Sequence, residues 1–185
     1  MITLAVGSVA FGRLYQVVRL LTGGKIVDQF QLGMLGIIGS LLFIFSANFG
    51  LMDRIADDGS KRFLKYRLMP LAAPAVSLAF YIIFVFFADV SRFAKIAGAI
   101  ITVFVMLASY YNLKHLIFPD VDYGIINCLK KYNLLSLLYS FFCIAEMIAV
   151  SRSNDIITAI ICAIMGCLLI GVVISVERGI KKWTI

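Results

Sequence analysis

Asp53-Arg54-Ile55-Ala56-Asp57-Asp58-Gly59-Ser60-Lys61-Arg62-Phe63-Leu64-Lys65-Tyr66-Arg67 is a short polar bridge between two long apolar runs, and it carries five of the 17 Lys and Arg side chains in this 185-residue chain. Short loops rich in Lys and Arg stay on the cytoplasmic side during membrane insertion. Arg54, Lys61, Arg62, Lys65 and Arg67 therefore set the direction in which each neighbouring run crosses. The bridge and its flanks together predict an all-α fold: a polytopic integral membrane helical bundle, one domain over residues 1–185.

Composition agrees. Hydrophobic residues make up 62% of the chain, mean hydropathy is +1.01, and charged residues are 15%, against about 25% in soluble domains. A soluble fold is excluded. The net charge of +7 sits mainly in loops between apolar runs, where it marks orientation, so no nucleic acid partner is expected. Cys128, Cys143, Cys162 and Cys167 form no CxxC pair and are expected to be reduced and packed as small soft side chains. Met1 opens an apolar run with no preceding Lys or Arg and no small-residue cleavage signature, so no cleaved signal peptide is expected.

Six spans follow, each near the roughly 20 residues that cross a hydrocarbon core of about 30 Å. They are expected at 2–22, 32–52, 68–88, 96–112, 132–150 and 156–176. The first contains Ser8, Gly12, Arg13, Gln16 and Arg19; Ser8, Gly12, Gln16 and Arg19 recur at helical spacing and give it one polar face, so five spans remain if it lies in the interface. In the second, Gly33, Gly36, Gly39 and Ser40 permit close helix contact, and Asn48 is expected to hydrogen-bond another helix. Pro70 and Pro74 fall in the first turns of the third, and its far half, from Phe80 to Phe87, should face lipid. Tyr110, Tyr111 and Asn112 read as an interfacial belt closing the fourth. Residues 113–131, with Lys114, His115, Asp120, Asp122, Lys130 and Lys131, are too polar to span and read as a solvated cytoplasmic segment. This segment, the bridge at 53–67 and the basic tail share one side and hold most of the loop cations. Both termini are thereby expected in the cytoplasm, and the membrane is the plasma or inner membrane.

Two features bear on function. Ala159, Ala163, Cys167, Gly171 and Ser175 place a small residue at every fourth position of the last span, a pattern that suits helix packing, a homo-oligomer seam or a partner membrane subunit. Glu146 lies well inside the fifth span, at a depth between those of Arg13 and Arg19. Intramembrane ionisable groups are rare and usually paired, so Glu146 is expected to meet one of these arginines. Arg13, Gln16, Arg19, Asn48 and Glu146 together form a candidate polar, ligand-binding cavity.

Catalytic signatures are missing. His115 is the lone histidine, without clustered Cys or carboxylates in register, so neither a metal nor another cofactor is expected. Asp57-Asp58-Gly59-Ser60-Lys61-Arg62 invites comparison with the CDP-alcohol phosphotransferases. However, Ile55 stands where the first aspartate of that family's pattern would fall, and no two further aspartates follow at the required interval in the next span. Too few carboxylates remain to hold metal ions on a phosphate. The expected function is a small solute-binding or transport component embedded in the lipid bilayer; in size and span number the chain is similar to the substrate-binding subunits of vitamin importers. The alternative is a structural or signalling accessory subunit that docks another membrane protein through its small-residue face.

Overall fold

In lipid a backbone must satisfy its own donors and acceptors, and apolar runs of about 20 residues do so by winding into helices. The computed structural model describes residues 1–22, 32–53, 57, 59–119, 124–152 and 155–183, with no strand among them. Its helices are α1 (Ile2–Leu21), α2 (Leu32–Ala47), a continuous helical run α3 (Lys61–Phe87), α4 (Arg92–Ile117), α5 (Ile125–Ser151) and α6 (Asp155–Trp183). Five of them, α2 with its π-helical extension and α3 to α6, are long and apolar enough to cross a membrane. Arg13 and Arg19 lower the hydropathy of α1, which lies outside that set.

The helices pair as three hairpins, α1 with α2, α3 with α4 and α5 with α6, and α4 also touches α2 and α5. Glycine sets the closest approach. A Cβ on Gly36 would lie 2.5 Å from the Ser8 carbonyl oxygen and 2.9 Å from the Gly12 Cα, so α1 and α2 meet backbone to backbone. Ser8 lies by Gly39, Gly12 by Gly36 and Gly33, and Gln16 by Gly33, which makes the pair antiparallel along the length of α1. Ala5 and Val9 enter the main core with Ile37, Leu41 and Ile44 of α2, Val105 and Ala108 of α4, Tyr139 and Ile144 of α5, and Met165 of α6.

Helix ends explain where the observed elements outrun the expected spans. The Ser91 side chain accepts a hydrogen bond from the Ala94 amide at 3.2 Å, starting α4 at Arg92 instead of 96. At its other end the helix continues through Lys114 and His115 and stops only before Phe118-Pro119, where proline disfavours helical backbone in the residue preceding it. This corrects the sequence reading of 113–131: Lys114 and His115 are buried, at 4% and 0% exposure. Asp120 and Asp122 lie outside the described residues, while Lys130 and Lys131 are exposed. Asn112 is likewise fully buried. The expected lipid face of α3 is largely present: Phe80, Ile82, Ile83, Phe86 and Phe87 are exposed and only Phe84 turns inward.

Candidate functional site

Polar side chains collect at two places roughly 25 to 30 Å apart, judged from the rise along α2 between the glycines beside Arg13 and Asp53. At the first, the Arg13 guanidinium of α1 grips the Glu146 carboxylate of α5 through both nitrogens, with Nη2 to Oε2 at 2.6 Å. Arg13 also donates to Gln16 Oε1 at 2.9 Å, and the Cys162 thiol of α6 lies 3.5 Å from Glu146 Oε1. Glu146 is buried and the Arg13 side chain keeps 26% of its surface exposed. A bidentate pair of this kind fixes orientation as well as charge. Glu146 thus meets Arg13 and not Arg19, whose guanidinium has no ion-pair partner among the described residues.

Asn48 does not join this group. It opens a π-helical turn, Asn48–Met52, at the far end of α2, and its Nδ2 donates to Asn112 Oδ1 of α4 at 2.7 Å. The expected single cavity of Arg13, Gln16, Arg19, Asn48 and Glu146 is therefore divided between opposite ends of the bundle. The π turn widens the helix just before Asp53, a local irregularity often found where a helix serves a site.

Around Asp53 lies the second centre, built from α2, the following bridge, α3 and α4. Lys114 Nζ donates to Asp53 Oδ1 at 2.5 Å and to Asp57 Oδ2 at 2.7 Å. Arg67 of α3 holds Asp57 bidentately, with Nε to Oδ2 at 2.7 Å, and reaches the Gly59 carbonyl at 3.2 Å. Gly59, at φ +78°, lets the bridge turn so that its amide donates to Asp57 Oδ1 at 3.1 Å. His115 Nε2 stands 3.3 Å from Asp53 Oδ1. Tyr111 packs edge-on against the stacked rings of Phe45 and Phe49, and Phe63 lies 4.9 Å from Phe118 between ring centroids.

The electrostatics follow from these contacts. Arg67 holds the Asp57 carboxyl well below the usual carboxylate range, with Lys114 and the Gly59 amide adding to the effect against the opposing penalty of burial. For Asp53, burial works toward the neutral acid, but hydrogen bonds from His115 and Lys114 outweigh it and lower the carboxyl below its ordinary value. Both carboxylates are charged at neutral pH and balance the Arg67 and Lys114 cations.

Between the centres the bundle interior stays polar. Ser40 and Tyr139 share a hydrogen bond of 2.7 Å between α2 and α5. Thr102 and Ser109 of α4 and Asn133, Ser136 and Ser140 of α5 are all buried. Asn133, Ser136, Ser140 and Met147 fall on one face of α5, and the Met147 sulfur abuts Gly98, so this face looks toward α4. Several of these groups bond only to the preceding turn of their own helix, as Thr102 does to the Gly98 carbonyl and Ser140 to the Ser136 carbonyl. Asn48 Oδ1, Asn112 Nδ2, His115 Nδ1 and Asn133 Oδ1 are buried with no partner among the described residues. No set of three His, Cys, Asp or Glu residues suited to a metal occurs among the described residues.

On α6 the small-residue stripe divides. Ala159, Ala163 and Cys167 are exposed, whereas Gly171 contacts Leu135 of α5 and Ser175 is buried. The reason is geometric: a step of four residues overshoots a 3.6-residue turn by about 40°, so the stripe winds from the outer surface into the α5 contact. An open groove of about 590 Å³ between α1 and α2, lined by Phe11, Leu14, Val18 and Leu35 among others, touches neither ionic centre.

Comparison with known proteins places nothing beside this arrangement. No protein-family model matches the sequence, and no curated protein or solved structure matches it. The functional reading therefore rests on geometry alone.

Sequence reasoning missed the second centre. Its signal was present in Lys114-His115 directly following the apolar run of α4 without a helix breaker until Pro119. A helix that does not stop carries its polar residues inward with it.

Proposed function

We propose that this protein is a small transport component of a cell membrane, moving or binding a polar solute along the α2–α4–α5 interior, with the Arg13–Glu146 pair and the Lys114 centre closing its two ends. The observation that carries the reading is the line of buried Asn, Ser, Thr and Tyr side chains between the two ionic centres. Such groups also join helices by hydrogen bonds, and turned to the bundle interior they would line a polar path. Packing of α1 antiparallel to α2 supports a six-crossing arrangement, with both termini and the Lys114 centre on the cytoplasmic side by the distribution of Lys and Arg.

The test is flux into liposomes containing the purified protein, measured for protons and for small polar solutes. Glu146→Gln and Asp57→Asn should each raise leak or uncouple transport by loosening one end. Wild-type liposomes indistinguishable from empty ones for every solute and for protons would overturn the reading. A second reading, an accessory subunit, is favoured by one observation: Ala159, Ala163 and Cys167 present small residues on the outer face of α6. Under that reading, cysteine crosslinks through Cys167 to a second copy or another membrane protein would form in native membranes.

A further inference from the structure

We propose that the Lys114 centre is a binding site for primary ammonium groups, occupied at rest by the ammonium of Lys114 itself. The inference names a solute class for the proposed transport function and in that sense rests on it. Lys114 Nζ lies between Asp53 Oδ1 and Asp57 Oδ2. The rings of Tyr111 and Phe118 stand 5.9 and 5.8 Å from it. Carboxylates that accept N–H bonds and aromatic rings that attract a cation are the two elements by which proteins recognise amines. The Lys114 side chain is only 5% exposed, so the cage is largely desolvated and each of these attractions is stronger than in water.

Charge and hydrogen bonding both specify the occupant. Arg67 already neutralises one carboxylate through its bidentate grip on Asp57. Among the described residues one negative charge remains, which suits a monocation. Asp53 and Asp57 each offer an oxygen at hydrogen-bond distance from one point, which suits an occupant that brings N–H donors. Two buried acceptors on the same elements, α2 with its extension and α4, are not used by Lys114. Asn48 Oδ1 is fully buried without a partner among the described residues. His115 Nδ1 is equally buried, and it carries a lone pair when Nε2–H donates to Asp53. The rim of the cage is partly exposed, with the Asp53 side chain at 21% and the Arg67 side chain at 24%.

Chemical rescue tests the site without measuring flux. Lys114→Ala in lipid nanodiscs should lower the melting temperature, and methylammonium or ethylammonium chloride should restore most of the loss with saturation. Tetramethylammonium, which has no N–H, and sodium at equal ionic strength should not. Recovery that is absent, or equal for all four salts, overturns the proposal. The wild-type chain supplies a second measurement should Lys114→Ala fail to fold. Ethylammonium should raise acetylation of Lys114 relative to exposed Lys130 in the same sample, as read by mass spectrometry, and an unchanged ratio refutes the site. Rescue without flux retains the amine site and removes the transport reading; flux without rescue does the reverse.

Discussion

The two ionic centres solve the same problem, charge at the edge of an apolar bundle, in opposite ways. At Glu146 one carboxylate meets one arginine, with Gln16 beside it and little else polar nearby. At Lys114, two carboxylates, two cations and a histidine from four segments share a connected set of bonds. A single buried pair depends wholly on each partner, while a network has other donors to fall back on. The first centre should therefore be brittle and the second graded.

The largest expected effect tests brittleness. Glu146→Leu leaves Arg13 uncompensated, and losing one partner of a buried pair costs about 3–5 kcal/mol; the lower end applies because Arg13 keeps partial exposure and Gln16 as a neighbour. Adding Arg13→Met should recover most of that loss. Unfolding measured in nanodiscs decides, and a double variant as weak as the single would show that the charges themselves are not what matters.

Next comes acid sensitivity at the network. Asp57 has a folded pKa below its unfolded value of about 3.9, so its stabilisation is complete above that value and drains away as pH falls through the folded one. Asp57→Asn should lower stability at pH 7 by about 1–3 kcal/mol and flatten the melting temperature below pH 4. An unchanged acid limb would mean that another carboxylate governs it.

Gly36→Ala probes the scaffold of the first centre. The added methyl meets the Ser8 carbonyl and Gly12, so α1 must shift, at a cost of about 1–3 kcal/mol, and the Arg13–Glu146 geometry should loosen with it. Disulfide trapping between cysteines placed on α1 and α2 reads the separation directly. Asn48→Ala should cost less, about 0.6 kcal/mol and at most about 1.7, as single intramembrane hydrogen bonds do. Smallest is Ala163→Leu on the exposed face of α6, within about 0.5 kcal/mol for the isolated protein. A large loss there, seen only in native membranes, would favour the accessory-subunit reading.

Much of this molecule was legible in one dimension. Composition and the spacing of apolar runs determined an all-helical membrane bundle, because runs of about 20 apolar residues suit helices that satisfy their own backbone in lipid, not the shorter strands of a barrel. The depth of Glu146 along its span also predicted an arginine partner on the first helix, since height along a helix is a count of residues. Direction around the axis is harder to count over many turns. The stripe from Ala159 to Ser175 looked like one face and winds across two, and Asn48 was grouped with Glu146 although α2 carries it to the other end. Only the tertiary structure decided that Lys114 and His115 turn inward to meet Asp53 and Asp57. That meeting depends on where α4 ends, how the π turn aims Asp53, and how Gly59 folds the bridge back over α3. These are relations among segments far apart in sequence, and no local pattern of residues encodes them.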